Sequence, residues 1–442
     1  IKARQAVGDN YALWNDPSSL PNTNWFDEVF QTGVEQSHNI SIKGGTEKIS
    51  YYVSGGYENE EGIQKNNKWE RYSIRANSDY KLNKKFTFGT RIYATKILER
   101  PYTVDIPWRT LPYMAVYNAD GSFASVPKEV EFSGGNPVAN IAYAHLKNGS
   151  GMLASDLYFD WEILNGLHFI NTGSAGLSAG YNDSFTQADN LRRSATAESY
   201  TKSSSYSESY TLTSTLNYAK IFARKHDFKI MLGYEIKNSN SSSLSATANS
   251  FPVPVAESFA LSTNTNKTAS GSLGYGRFLS QFGRINYAYN NRYLLTANIR
   301  RDGSPKFGPK NRWGVFPSAS IGWRVSEENF LKDNPIVSNL KLRAGVGSLG
   351  NSNIPSYKWL STIGFGSGYV FGANQTLNAG SAVGGAYNED ITWESTSTTN
   401  VGFDLNLYQN KFNMSLEVFK RKTTNMLLLL PLPSTTGYSS NP

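Results

Sequence analysis

The chain has 442 residues, a hydrophobic content of 39% and a mean hydropathy of -0.45, and it holds no run of about 18 apolar residues, so no transmembrane helix is expected. The absence of cysteine excludes a disulfide scaffold and a thiolate metal site. The net charge of +8 is scattered along the chain without a clustered basic patch, so nucleic acid is not an expected partner.

Residues 1–37 read as a loop before the first strand, and residues 38–423 as about fourteen strands. Period-two alternation is plain in Leu157, Phe159, Trp161 and Ile163 against Asp156, Tyr158, Asp160 and Glu162. It returns in Phe228, Ile230, Leu232, Tyr234 and Ile236 against Lys229, Met231, Gly233, Glu235 and Lys237. Towards the end come Val401, Phe403, Leu405 and Leu407 against Asp404 and Asn406, then Phe412, Met414, Leu416 and Val418 against Asn413, Ser415 and Glu417. One apolar and one polar face on each strand suits a wall between lipid and a wet lumen. The segments 200–220 and 228–247 exceed the roughly 9 to 11 residues that cross a bilayer, so both are expected to project beyond it.

Tight connections are expected at residues 44–47, 82–85, 165–166, 224–227, 290–291 and 409–410, several of them carrying the Asn or Gly that two-residue hairpins need. A longer one, 327–339, has the makings of a single helical turn. Between them lie long polar connections, chiefly 98–151, 178–198, 247–270 and 347–394, with 424–442 as a final loop. Short and long connections alternate, which puts all the long ones at one end of the sheet. That asymmetry characterises outer-membrane barrels, whose short turns are periplasmic and whose long loops are outside. The fold class is therefore all-β, a transmembrane antiparallel β-barrel. About fourteen open strands would leave two edges unpaired in lipid, so the chain is expected to be a fragment of a larger barrel, with at least one strand before Ile1 and more after the last.

Ordered motifs then resemble the SusC/RagA family of TonB-linked outer-membrane transporters. They begin with Asn24-Trp25-Phe26-Asp27-Glu28-Val29-Phe30, His38-Asn39-Ile40-Ser41 and Tyr51-Tyr52-Val53-Ser54-Gly55-Gly56-Tyr57. They continue through Arg301-Asp302-Gly303-Ser304, Phe307-Gly308, Arg312-Trp313-Gly314, Phe316-Pro317-Ser318 and Gly322-Trp323-Arg324. Leu349-Gly350-Asn351, Trp393-Glu394, Asn400-Val401-Gly402-Phe403-Asp404 and Pro431-Leu432-Pro433-Ser434-Thr435-Thr436-Gly437 complete the series. The resemblance implies a barrel of about 22 strands, of which this chain would supply roughly strands 2 to 15, without the plug, the TonB-contacting segment or the last strands. It also implies TonB as a partner through the missing N-terminal part, and a SusD-like surface lipoprotein.

No catalytic constellation emerges, and the expected protein is not an enzyme. His38, His145, His168 and His226 lie far apart without ligand spacing, so no metal or cofactor is expected. Gly271, Gly274 and Gly276 lead into a strand and not a helix, which disqualifies a phosphate cradle. Asn118 to Ser122 reads as an Asp-Gly turn and not a calcium loop. Trp313, Phe316 and Trp323 are assigned to the aromatic girdle at the lipid interface in preference to a sugar platform. Binding chemistry is expected in the loops: Tyr102, Trp108, Arg109, Tyr113 and Tyr117 in the first large loop, and Tyr357, Trp359, Tyr369 and Phe371 in the last. Their faces can stack on sugar rings or pack on peptide and partner, with polar neighbours bonding hydroxyls or carbonyls. The function read from all this is active outer-membrane import of oligomeric nutrients, glycan or oligopeptide. The alternatives are a passive porin and a structural or adhesive barrel.

Overall fold

The computed structural model describes residues 16–101, 110–125, 135–186, 198–251, 258–263, 267–365, 368–378, 380–383, 386–429, 431, 433 and 435. Fourteen strands form one antiparallel sheet in strict sequence order, interrupted only where four short strands branch off. The sheet comprises β1 (Val34–Gly45), β2 (Ile49–Glu61), β3 (Lys68–Lys81), β4 (Phe86–Arg100), β5 (Ala144–Leu164), β6 (Leu167–Thr186), β7 (Ser199–Phe222), β8 (His226–Asn249), β9 (Thr268–Tyr289), β10 (Tyr293–Gly303), β11 (Trp313–Arg324) and β12 (Val337–Asn351), then β17 (Glu394–Leu407) and β18 (Phe412–Thr424). Two small hairpins lie between β12 and β17. One pairs β13 (Ile363–Phe365) with β16 (Ser381–Val383), the other β14 (Tyr369–Phe371) with β15 (Thr376–Asn378).

Positive φ at the tight turns explains their composition: Gly166 stands at 81°, and Asn290 and Asn291 at 51° and 57°. The turn after β7 falls one residue earlier than expected, on Ala223 and Arg224, and that after β17 takes Tyr408 as well as Gln409 and Asn410 into the left-handed region. A 3-10 turn at Val325–Glu327 begins the longer connection before β12.

Several expected boundaries are corrected. The first strand starts at Val34, and the segment before it contains helix α1 (Trp25–Val29), capped by the Asn24 side chain on the Phe26 N–H. The loops expected at 98–151, 178–198, 247–270 and 347–394 contract to 101–143, 187–198, 250–267 and 352–393, because β4 through β9, β12 and β17 run further than alternation indicates. In the first of these, helix α2 (Pro137–Tyr143) leads directly into β5. The extra strand residues include Lys147, Asn148, Tyr181, Asn182 and Asp183. A strand above a bilayer has both faces wet, so its two faces no longer differ in polarity and the pattern that reveals it fades. β7 and β8, at 24 residues each, are long as expected, and β5, β6 and β9 approach them at 21, 20 and 22.

Register fixes the two faces. Directly opposed residues share a face, so Leu232 aligns with Leu216, and Leu405 with Met414 and Leu340. Ile230, Leu232, Tyr234, Leu405, Leu407, Met414 and Leu416 all fall on this apolar face, while Lys229, Glu235, Asp404, Asn406 and Glu417 fall on the other. Aromatic side chains rim the apolar face at the short-turn end, where the Tyr289, Tyr293 and Trp323 rings stack in series at 6.2 and 6.4 Å, and Phe86 lies 5.9 Å from Trp161. Trp313, under the Arg301 guanidinium at 4.2 Å, marks the loop end of β11. About 33 Å of strand separates Trp313 from Trp323, and a tilt of about 40° brings that to about 25 Å, the height of a barrel's apolar band. Phe316 is the exception to the girdle assignment: it opposes Arg300 on the polar face.

Candidate functional site

The polar face is a ladder of ion pairs made by residues that meet across neighbouring strands. Asp79 on β3 accepts from Arg91 on β4 and from the Tyr158 hydroxyl on β5, both at 2.7 Å. His168 Nδ1 lies 2.9 Å from Asp160 across the β5–β6 hairpin. Arg343 on β12 bonds Glu417 on β18, and its Nε lies 3.5 Å from Asp404 on β17. Opposed polar groups one step apart on a pleated sheet need no long reach to pair.

The densest part of this ladder lies at the loop ends of β10 and β11, beside the middle of β8 and β9. Arg300 donates through Nε to Asp302 at 2.8 Å, and through Nη2 to Glu235 at 3.1 Å and to the fully buried Ser280 hydroxyl at 2.8 Å. Its guanidinium also covers the Phe282 ring at 5.3 Å. Directly beyond, Phe307 is fully buried, with its ring 4.9 Å from Trp393; Phe316 and Phe278 meet Trp393 at 5.5 and 6.0 Å. Glycine makes this cluster possible. A Cβ on Gly350 would stand 2.0 Å from Phe316, and one on Gly314 only 2.4 Å from the same ring.

This cluster ties two connections together. The connection 304–312 is closed on itself by Ser304 N–H to Arg312 O at 3.0 Å. It is fastened to the 352–393 connection by Trp359 Nε1 donating to Pro305 O at 3.3 Å and by the Asn311 amide donating to Asp390 O at 3.0 Å. At the far side of the sheet a second platform forms around α1. Buried Trp25 donates to Leu111 O at 3.1 Å, and fully buried Asn136 donates to Val116 O and Ala124 O at 2.8 and 3.2 Å. A third cluster, of Phe185, Tyr200, Ala248 and Phe251 with Phe259 against it, forms a small core at the projecting ends of β6–β8.

The residues singled out from sequence take different roles. Tyr102, Trp108 and Arg109 lie outside the described residues. Tyr113 is half-buried in the α1 platform, and Tyr117 stacks on Phe123 at 5.4 Å, which in turn meets Tyr143 edge-on. Trp359 acts as a tie between loops. Tyr357 is exposed, and Tyr369 and Phe371 meet each other at 4.9 Å on one exposed hairpin. The structure therefore brings together Tyr369 with Phe371, and not the full set. Asn118 to Ser122 is a turn, with Ser122 donating to Asp120 and Gly121 at a φ of 82°; those bonds hold the Asp120 carboxyl below the usual carboxylate range. Neither the Phe307–Trp393 cluster nor Arg300 stands out as a site in the sequence, although Phe307, Trp393 and Asp302 sit in the motifs that carry the family resemblance.

A long meander of antiparallel strands with one apolar face, one ionic face, aromatic rims and all large connections at one end defines an outer-membrane β-barrel wall. The chain belongs to the TonB-dependent receptor-like β-barrel family, which residues 99–441 match. It is 28% identical to TonB-dependent receptor P3 of Formosa agariphila, over 99% of this chain and 44% of that protein. It is also 28% identical to TonB-dependent receptor SusC of Bacteroides thetaiotaomicron, over 98% of this chain and 46% of the relative. The chain thus spans less than half the length of these curated relatives. The RagAB peptide importer in its open-open state superposes with a TM-score of 0.82 at 21% identity, covering 99% of this chain and 50% of that one. The resemblance read from the motifs is established, and the protein is placed in the outer membrane with its apolar face to lipid and its ionic face to the lumen.

Proposed function

We propose that this chain is the greater part of the barrel wall of an active importer that takes oligomeric nutrients, glycan or oligopeptide, across the outer membrane with energy from TonB. A SusD-like surface lipoprotein closes over its loops. The observation that carries this reading is the apolar tip of the 352–393 connection. Its two hairpins hold out Phe365, Tyr369, Phe371 and Leu377 at 88, 69, 61 and 69% exposure. Isolated exposed apolar residues are ordinary, but a group of them on a structured projection marks a partner surface. A passive pore has no use for such a projection outside the membrane. The ionic lumenal face suits transit of polar oligomers, and the likeness in fold to a peptide importer is compatible with peptide cargo without choosing between peptide and glycan.

The test is deletion of residues 363–383 in the full-length protein. Loop removal leaves the strand ladder paired, so insertion should be normal while co-purification of the lipoprotein and uptake of the oligomer fall. Uptake by the unaltered protein should also stop when the proton-motive force is discharged. Uptake that survives discharge would favour the porin.

A further inference from the structure

We infer that the apolar face carries a fixed seat for one phospholipid acyl chain, in a groove across β10–β12, β17 and β18 on the side of the bilayer nearer the short turns. The inference rests on the shape of the lipid-facing surface and is separate from the proposed transport function. One row of opposed residues on this face reads Leu295, Ile321, Ala344, Val401 and Val418. The next row towards the short turns reads Tyr293, Trp323, Leu342, Phe403 and Leu416. Ala344 is the single short side chain among these ten, with branched or aromatic neighbours on both sides. These residues line an open groove of about 790 Å³, and Ala344 is where its side-chain floor is lowest among them.

The position in the membrane decides the occupant. The row Tyr293–Trp323–Leu342 starts at the short-turn ends of β10 and β11 and meets β12 five residues, about 17 Å, beyond Val337, so the groove opens at the rim and runs on into the apolar band. There it is continuous with the surface that faces lipid, where water cannot fill it and a polar ligand would leave its groups unpaired. An acyl chain fits that chemistry. The headgroup end is given by the rim, because short turns are periplasmic and this leaflet's interface lies at the Tyr293–Trp323 stack. There the Tyr293 hydroxyl and the Trp323 indole N–H both donate to Glu328 Oε1, at 2.7 and 3.0 Å, and Arg292 donates to Oε2 at 3.1 Å. These three bonds hold the Trp323 ring upright as the wall at the mouth of the groove. A lipid seated here differs from ordinary boundary lipid in having a gap in the side-chain layer to fill, and so in resisting exchange.

The test uses the full-length protein reconstituted in nanodiscs of palmitoyl-oleoyl phosphatidylethanolamine and then stripped with detergent, with retained lipid counted by native mass spectrometry. One phospholipid per polypeptide should resist stripping. In Ala344→Phe, retention should fall roughly tenfold or more, since excluding two methylenes from the groove suffices for that change. Leu232→Phe, on the same apolar face but away from the groove, should retain lipid as the unaltered protein does. Should the phenylalanine at 344 prevent insertion, Ala344→Leu supplies the same comparison. Equal retention in the 344 variants, or equal loss in Leu232→Phe, would overturn the inference and leave non-specific boundary lipid only.

Discussion

Phe307 and Trp393 are 86 residues apart in sequence, yet their rings lie 4.9 Å apart, and the first is fully buried against the second. This contact fastens the connection that leaves β10 to the root of β17, and with the Trp359 and Asn311 bonds it makes one rim out of two loops. Phe307→Ala should therefore cost about 3 kcal/mol, the low end for a buried phenylalanine. The loss should be local. Hydrogen exchange should speed up in 304–312 and 386–393 while β10 and β17 stay protected; uniform loosening of the sheet would contradict the assignment.

Facing can be tested by charge. Leu232→Arg or Leu405→Arg should lower stability in urea titrations of the reconstituted barrel by about 2 to 4 kcal/mol where the site is near the midplane. Asn286→Arg, on the lumenal face beside Thr296, should cost less than about 1 kcal/mol. A larger cost at Asn286 than at Leu232 or Leu405 would mean that the register is off by one.

Arg300 gathers Glu235, Asp302 and Ser280, and its removal leaves two carboxylates facing each other without a cation. The side chain is 40% exposed, so solvent screens part of the effect. Arg300→Met should destabilise by about 1 to 2 kcal/mol, and adding Asp302→Asn should recover part of the loss. A double variant worse than the sum of the singles would show that Asp302 has its own role beyond pairing.

The Glu328 carboxyl, in the connection after β11, is held below the usual carboxylate range, first by the Tyr293 hydroxyl and next by the Trp323 indole N–H. A depressed folded value means the contribution is complete above the ordinary glutamate range, near pH 4.3, and is lost as pH falls through the folded value. Acidification below about pH 4 should loosen the Trp323 wall, seen as a change in its fluorescence in a variant retaining only that tryptophan. The change should be absent at neutral pH and already present there in Glu328→Gln.

Much of this molecule was legible in order along the chain. Alternation at residues 228–236 and 401–407 determined strands and their faces because a side chain one residue on points the other way, whatever the rest of the fold does. Asn290, Asn291 and Gly166 marked turns because few residues tolerate positive φ. The strand ends above the membrane were hidden, since Ser, Asn and Gly around 144–151 and 239–249 face water on both sides and carry no period. Trp359 and Tyr117 looked like free platforms for the same reason that Phe316 looked like girdle: sequence gives the chemistry of a ring and not the neighbour that occupies its face.

Those neighbours come from distant strands. Which polar residues pair between strands on the lumenal face, which aromatic rings close the rim, and where Ala344 leaves a gap in the lipid-facing layer all depend on register between strands separated by loops of variable length. Sequence determined the class of wall, its two faces and its turns, because each is a property of a few consecutive residues. Tertiary structure alone decided how Arg300 meets Glu235 and Phe307 meets Trp393, because each of those contacts exists only once the sheet has brought its strands side by side.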